Sequence, residues 1–237
     1  MRHPKVSFAI VVPALLALLL TACGAADTST LEPTVVAASS EATPPALAPA
    51  TVAPAPAEAG VTVFQVQTEG SEARFLIDEV LAGSPNTVVG ATSAVRGEIR
   101  VNPAQPGQTT LGPMEVEAGS LVTDNNLRNG AIRTFILDSG QYPTVTFTPT
   151  ALVGLPETVA VGESFSFQIT GDLTIRDITR SVTFDVTVNA EAADRLTGSA
   201  RATVLRSDYG LTIPSVPQVA EVSDEVILEL DFTALAG

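Results

Sequence analysis

The chain has 237 residues, 26 acidic against 12 basic for a net charge of -14, with one His, one Cys and no Trp. His3, Lys5 and Cys23 are the only residues of their kinds, so beyond position 23 nothing can serve a Ser-His-Asp or Cys-His nucleophile or a Schiff base, and the His and Cys on which zinc, haem and iron-sulfur centres usually draw are absent, while hard-cation sites and paired carboxylates stay open. The acidity argues against nucleic acid, whose binding draws on Lys and Arg displacing counterions, and an apolar fraction of 45% is too high for a chain disordered throughout.

Residues 1–22 read as a lipoprotein signal peptide. Arg2 and Lys5 precede an apolar run from Phe8 to Leu20, shorter than the roughly 20 residues a membrane-spanning helix needs. Leu20-Thr21-Ala22-Cys23 resembles the bacterial lipobox, which implies cleavage before Cys23 and acylation of its thiol. Two or three acyl chains hold a protein at a bilayer where a single chain holds it only marginally. The expected location is therefore extracytoplasmic, in the periplasm or at the cell surface, with the membrane as partner through acylated Cys23. Residues 23–60 follow as an Ala/Pro-rich tether, with runs such as Ala42-Thr43-Pro44-Pro45 and Ala53-Pro54-Ala55-Pro56-Ala57; Pro fixes φ and removes backbone donors, so neither helix nor strand is sustained.

Residues 61–237 read as one all-β domain. Apolar residues recur at every second position in Phe64 and Val66; Ala73, Phe75 and Ile77; Val95, Ile99 and Val101; and Met114 and Val116. Such spacing places them on one face of a strand. The segment 124–139 breaks the pattern, because Leu127, Ala131, Ile132, Phe135 and Ile136 repeat at helical spacing. Asp124 is a candidate cap, and Gly130 weakens the helix by about 1 kcal/mol. A helix or broken helix across one opening of the sheet is expected, as a lid or as a plug completing the core.

Period two resumes at Val145 and Phe147, then Phe165, Phe167, Ile169, Leu173 and Ile175, then Val182, Phe184, Val186 and Val188, then Ala200, Ala202 and Val204, and finally Val226, Leu228, Leu230 and Phe232. Clean alternation favours antiparallel pairing with one wet face. Turn signals such as Gly83-Ser84-Pro85-Asn86 and Asn102-Pro103 leave no room for crossover helices. Eight or nine strands of this kind form a sandwich or close into a barrel, and closure removes exposed edges.

Several segments in order carry a resemblance: Gly119-Ser120-Leu121, Arg128-Asn129-Gly130-Ala131-Ile132-Arg133, Gln141-Tyr142-Pro143-Thr144-Val145-Thr146-Phe147, Gly171-Asp172-Leu173-Thr174-Ile175-Arg176-Asp177-Ile178-Thr179-Arg180, and Arg206-Ser207-Asp208-Tyr209-Gly210-Leu211. Together they make the domain similar to the YceI-like, polyisoprenoid-binding family. The resemblance implies an extended antiparallel, lipocalin-like β-barrel of about eight strands, with a short helical segment near one opening. It also implies a long-chain apolar ligand inside: a polyisoprenoid, an isoprenoid quinone or a similar lipid. Two positions depart from the family's pattern, Asn129 after Arg128 and Glu79 after Phe75-Leu76-Ile77.

The expected ligand-binding residues are Phe75, Ile77, Phe147, Phe165, Phe167, Ile169, Phe184, Val186, Leu228 and Leu230, which share the apolar faces of their strands; ordinary core packing is the alternative for each. Arg128, Arg133, Arg176, Arg180 and Arg206 are candidates to meet a headgroup at the rim, or else to pair with Asp124, Asp172, Asp177 or Asp208. No catalytic residue, metal or cofactor is expected. The leading function is a membrane-anchored carrier or sequestering protein for a lipid. The alternative is a non-catalytic surface interaction module whose barrel is packed solid, and a carboxylate-dependent hydrolase comes third.

Overall fold

A computed structural model describes residues 60–217 and 219–237. The segments expected to be the signal peptide and the tether, with Cys23, lie outside the described residues up to position 59. The strands are β1 (Thr62–Val66), β2 (Glu72–Leu81), β3 (Ser84–Thr92), β4 (Val95–Arg96), β5 (Glu98–Val101), β6 (Thr110–Leu111), β7 (Met114–Glu117), β8 (Thr144–Val153), β9 (Ser164–Ile175), β10 (Ile178–Ala192), β11 (Arg195–Leu205), β12 (Val219–Ala220) and β13 (Glu225–Ala236). All pair antiparallel in one curled sheet.

Twelve of the thirteen strands condense to eight runs of chain, within the expected eight or nine, and the short β12 pairs β2 beside them. β1 with β2 forms one interrupted run, β3 with β4 and β5 a second, and β6 with β7 a third. The second run pairs with the first through β2–β3 and β1–β5, and with the third through β4–β7 and β5–β6. β7 pairs β8, and β8, β9, β10, β11 and β13 then pair in succession. β13 returns to β2 along one half and to β1 along the other, so the circuit of pairings meets its own beginning. Such a circuit leaves few free edges.

Alternation decides which face turns inward. Across the β9–β10 hairpin, Phe165, Phe167 and Ile169 stand opposite Val188, Val186 and Phe184, and these side chains belong to the core. The outer face carries a polar ladder: Ser166 with Thr187 at 2.9 Å, Gln168 with Asp185 at 2.8 Å, and Thr170 with Thr183 at 2.9 Å. A shift of one residue would exchange the two faces, so burial fixes the register.

Two expectations need correction. Gly83-Ser84-Pro85-Asn86 is not wholly a turn, because β3 begins at Ser84 and Pro85 pairs with Val80. The turn is Ala82-Gly83, both with positive φ (50° and 83°), the conformation of a tight two-residue hairpin. Pro85 is tolerated because this end of β3 has β2 as its only partner strand among the described residues and an edge needs no donor there.

The helical segment is also shorter and differently capped than its spacing predicts. Helix α1 spans Asn126–Ala131 and continues as one π-helical turn, Ile132–Ile136, closed by the Leu137 N–H on the Ile132 carbonyl at 2.8 Å. The cap is Asn125, whose Oδ1 accepts from the backbone N–H groups of Leu127 and Arg128 at 2.9 and 3.2 Å; Asp124 instead pairs with Arg128. The wider turn changes the phase of the stripe. Ile132 is buried, while Leu127 and Phe135 are 87% and 67% exposed.

Candidate functional site

The inward faces of the strands do not meet across the middle. They enclose a cavity of about 850 Å³ with an almost wholly apolar lining, toward the upper end of the range usual for small-molecule sites. All ten side chains singled out by alternation, Phe75, Ile77, Phe147, Phe165, Phe167, Ile169, Phe184, Val186, Leu228 and Leu230, lie on its wall. Their strands place them there for one reason: each sits in the same phase as the buried positions of its neighbours across the sheet. Phe147 and Phe184 meet edge to face with centroids 5.0 Å apart, and Phe165 stacks on Phe167 at 5.9 Å. These aromatic pairs stiffen one side of the wall.

A group of polar residues, among them Glu79, Arg128, Arg206 and Tyr209, borders the cavity. Glu79, at the far end of β2, is 7% exposed. It accepts from the Arg128 guanidinium at 3.1 Å and from Asn86 Nδ2 at 2.9 Å. Arg128 reaches it from α1 and also binds Asp124. One turn of helix is thereby latched to the sheet. Arg206 donates from Nε to the Ser223 carbonyl at 3.0 Å and from one terminal nitrogen to the Leu211 carbonyl at 3.2 Å, and it stands 3.7 Å from Asp224. Ser223 in turn donates its N–H to the Asp78 carbonyl at 2.8 Å, so these groups share the end of the barrel that β2 and α1 form.

Tyr209 completes this end. It lies in the short turn Arg206–Tyr209 that follows β11, is 2% exposed, and borders the cavity. Its hydroxyl has no hydrogen-bond partner among the described residues. Burial, reinforced by the nearby charge of Asp208, pushes its pKa up to about 12, so the phenol keeps its proton at neutral pH. The turn itself is pinned by Asp224, which accepts from the Ser207 N–H at 3.0 Å and from its hydroxyl at 2.6 Å; those bonds hold the Asp224 carboxyl below the usual carboxylate range.

Of the five arginines considered for the rim, Arg128 and Arg206 border the cavity. Arg176 instead lies over the Tyr142 ring at 5.6 Å, and Arg180 donates to the Thr179 carbonyl. Of the four expected acidic partners, Asp124 pairs with Arg128, while Arg206 takes Asp224 instead. Asp208-Tyr209-Gly210, which carries part of the family resemblance, forms a turn with Gly210 at φ 61°, and no spacing along the chain shows that this turn buries the Tyr209 ring. Glu79 was noted as a departure without a role; its inward phase, two residues beyond Ile77, was the available signal.

Comparison with known proteins agrees with this architecture. Residues 64–234 match the YceI-like domain. The fold is shared with BcnA from Burkholderia cenocepacia at 21% identity and a TM-score of 0.55, over 71% of this chain and 98% of that one. It is also shared with a polyisoprenoid binding domain from Saccharophagus degradans, implicated in plant cell wall breakdown, at 15% identity and a TM-score of 0.56, over 74% and 99%. No curated protein sequence matches the chain. With the family match extending over nearly the whole barrel, the chain belongs to the YceI-like domain family.

Proposed function

We propose that this protein is a membrane-anchored, extracytoplasmic binder of a long-chain apolar lipid, which it holds inside the barrel for transport, storage or sequestration. The observation that carries the reading is the cavity: about 850 Å³ of room whose wall is built from Phe, Ile, Leu and Val. A solidly packed interaction module does not leave such a space. The polyisoprenoid binding domain of Saccharophagus degradans, which shares the fold, supports an isoprenoid-like ligand. Action by binding rather than catalysis fits a domain with no His, Lys or Cys.

The energetics are adequate for a long tail. Ten methylene equivalents leaving water contribute about 8 kcal/mol gross, and association takes back a large share of that. Tight binding therefore requires more carbon than ten methylenes, as an isoprenoid supplies. Native mass spectrometry of protein purified from its own host is expected to show one lipid per chain. An absence of lipid, together with no uptake of geranylgeraniol or decylubiquinone by the purified protein, overturns the reading.

A further inference from the structure

Residues that line the cavity and are also exposed mark where it opens. At one end these are Leu127 on α1, 87% exposed, and Val216, 46%; at the other it is Val161, 64%. Pairing fixes the two ends. Arg128 of α1 bonds Glu79, and Ala220 of β12 pairs with Val80, so α1 and the segment 211–220 converge on the far end of β2. Ile77 there pairs with Val226, which packs with Ile175 at the close of β9. Val161 stands at the opposite end, where the Gly162 N–H bonds the Ala190 carbonyl at 2.7 Å. Between the two, β9 lines the cavity from Phe165 to Ile175, about 33 Å of strand at about 3.3 Å per residue.

The two rims differ in charge. Segments 125–137 and 211–220, which build the α1 rim, hold Arg128 and Arg133 and no carboxylate, in a chain with 26 acidic residues; carboxylates resume at Asp124, Asp138 and Glu221 on their flanks. The loops beside Val161 carry Glu157, Glu163, Glu191 and Asp194. Phe135, 67% exposed, adds an aromatic ring to the α1 side and is not part of the cavity wall. Exposed Leu and Phe on an acid-free edge can enter the boundary between headgroups and acyl chains, whereas carboxylates resist leaving water. Resting on the lipid-binding reading above, we infer that the α1 rim, with Leu127, Phe135 and Val216, is a docking surface for a lipid bilayer, through which the ligand passes between membrane and cavity without crossing water. Insertion of this kind is apolar and needs no anionic headgroup. The first strand enters the barrel at the other end, because Gln65 of β1 pairs with Leu235, which pairs with Arg195 just after the turn from β10 to β11. Residues 23–60 have a contour on the order of 100 Å, longer than the barrel, so the proposed anchor leaves the α1 rim free to turn to the same bilayer.

The experiment uses the full chain carrying Cys23→Ala, so that no acyl chain contributes. An environment-sensitive fluorophore is attached at Phe135→Cys or, as control, at Val161→Cys, and the protein is mixed with neutral phosphatidylcholine vesicles whose acyl chains carry a spin-label quencher. Quenching at position 135 and not at position 161 is expected. In the same background, transfer of geranylgeraniol from unlabelled vesicles to the protein is timed with and without Phe135→Ser. The substitution is expected to slow transfer about tenfold, the worth of one inserted apolar side chain. Its dissociation constant for geranylgeraniol should hold, because docking speeds loading and unloading alike, and its thermal midpoint should hold because the ring is exposed. No quenching at position 135, equal quenching at both positions, or a transfer rate indifferent to Phe135→Ser overturns this inference and leaves the carrier reading intact. If the parent takes up no geranylgeraniol, the carrier reading falls, and the quenching alone decides the docking surface.

Discussion

Arg128 is the residue on which the cavity's edge turns, because it joins α1 to β2 through the carboxylate of Glu79. Removing one member of a buried ion pair leaves the other charge desolvated. Arg128→Ala is expected to cost about 2 to 3 kcal/mol, below the full 3 to 5 of a completely buried pair because Asn86 still donates to Glu79. Urea denaturation measures this directly, and a loss under 1 kcal/mol would mean the latch is cosmetic. Tyr209 gives a second signature. Its pKa rises from an ordinary value near 10 to about 12 on folding, so the folded state holds the proton more tightly than the unfolded one. Its contribution to stability is complete below about pH 10 and is lost as pH climbs through 12. Urea midpoints measured across that window should decline less in Tyr209→Phe than in the parent.

Two glycines on the strands separate packing of the sheet from packing of the cavity. A Cβ on Gly198, in β11, would lie 2.4 Å from the Thr187 carbonyl oxygen of β10 as well as against the Phe232 ring. Backbone would have to move, and Gly198→Ala is expected to destabilise by more than about 2 kcal/mol. At Gly90, in β3, the clash is with the outer edge of the Phe75 ring at 2.1 Å. That ring has the cavity to turn into, so Gly90→Ala should keep its fold and lose ligand capacity. Comparing thermal midpoints with geranylgeraniol uptake for the two variants tests the contrast; equal stability losses would refute it. The strands themselves were legible because period-two patterns dictate both pairing face and register, as in β9 and β10. The helical segment was legible in position and not in phase, since Phe135, within the π-helical turn at Ile132–Ile136, faces solvent.

Taken whole, the domain is an acidic barrel, and residues 23–237 have 10 basic against 26 acidic residues, a charge of 10 − 26 = -16. Attraction to anionic lipid headgroups is not available to such a molecule, so the proposed anchorage falls entirely on acyl chains at Cys23. Growth with a labelled fatty acid is expected to label the parent and leave Cys23→Ala unlabelled and released from membranes; label retained by the variant would end that proposal. The ten residues picked for the wall all border the cavity, because inward phase is a local property of each strand. Whether inward side chains fill a space or surround one is not local. It depends on how far apart the β9–β10 hairpin and the β2–β13 pair are held across the barrel, which the circuit of strand pairings sets. Glu79 and Tyr209 show the same division. Their chemistry is written in the chain, yet their meeting at one end of the cavity follows from contacts between segments about 130 positions apart, and no spacing along the sequence encodes it.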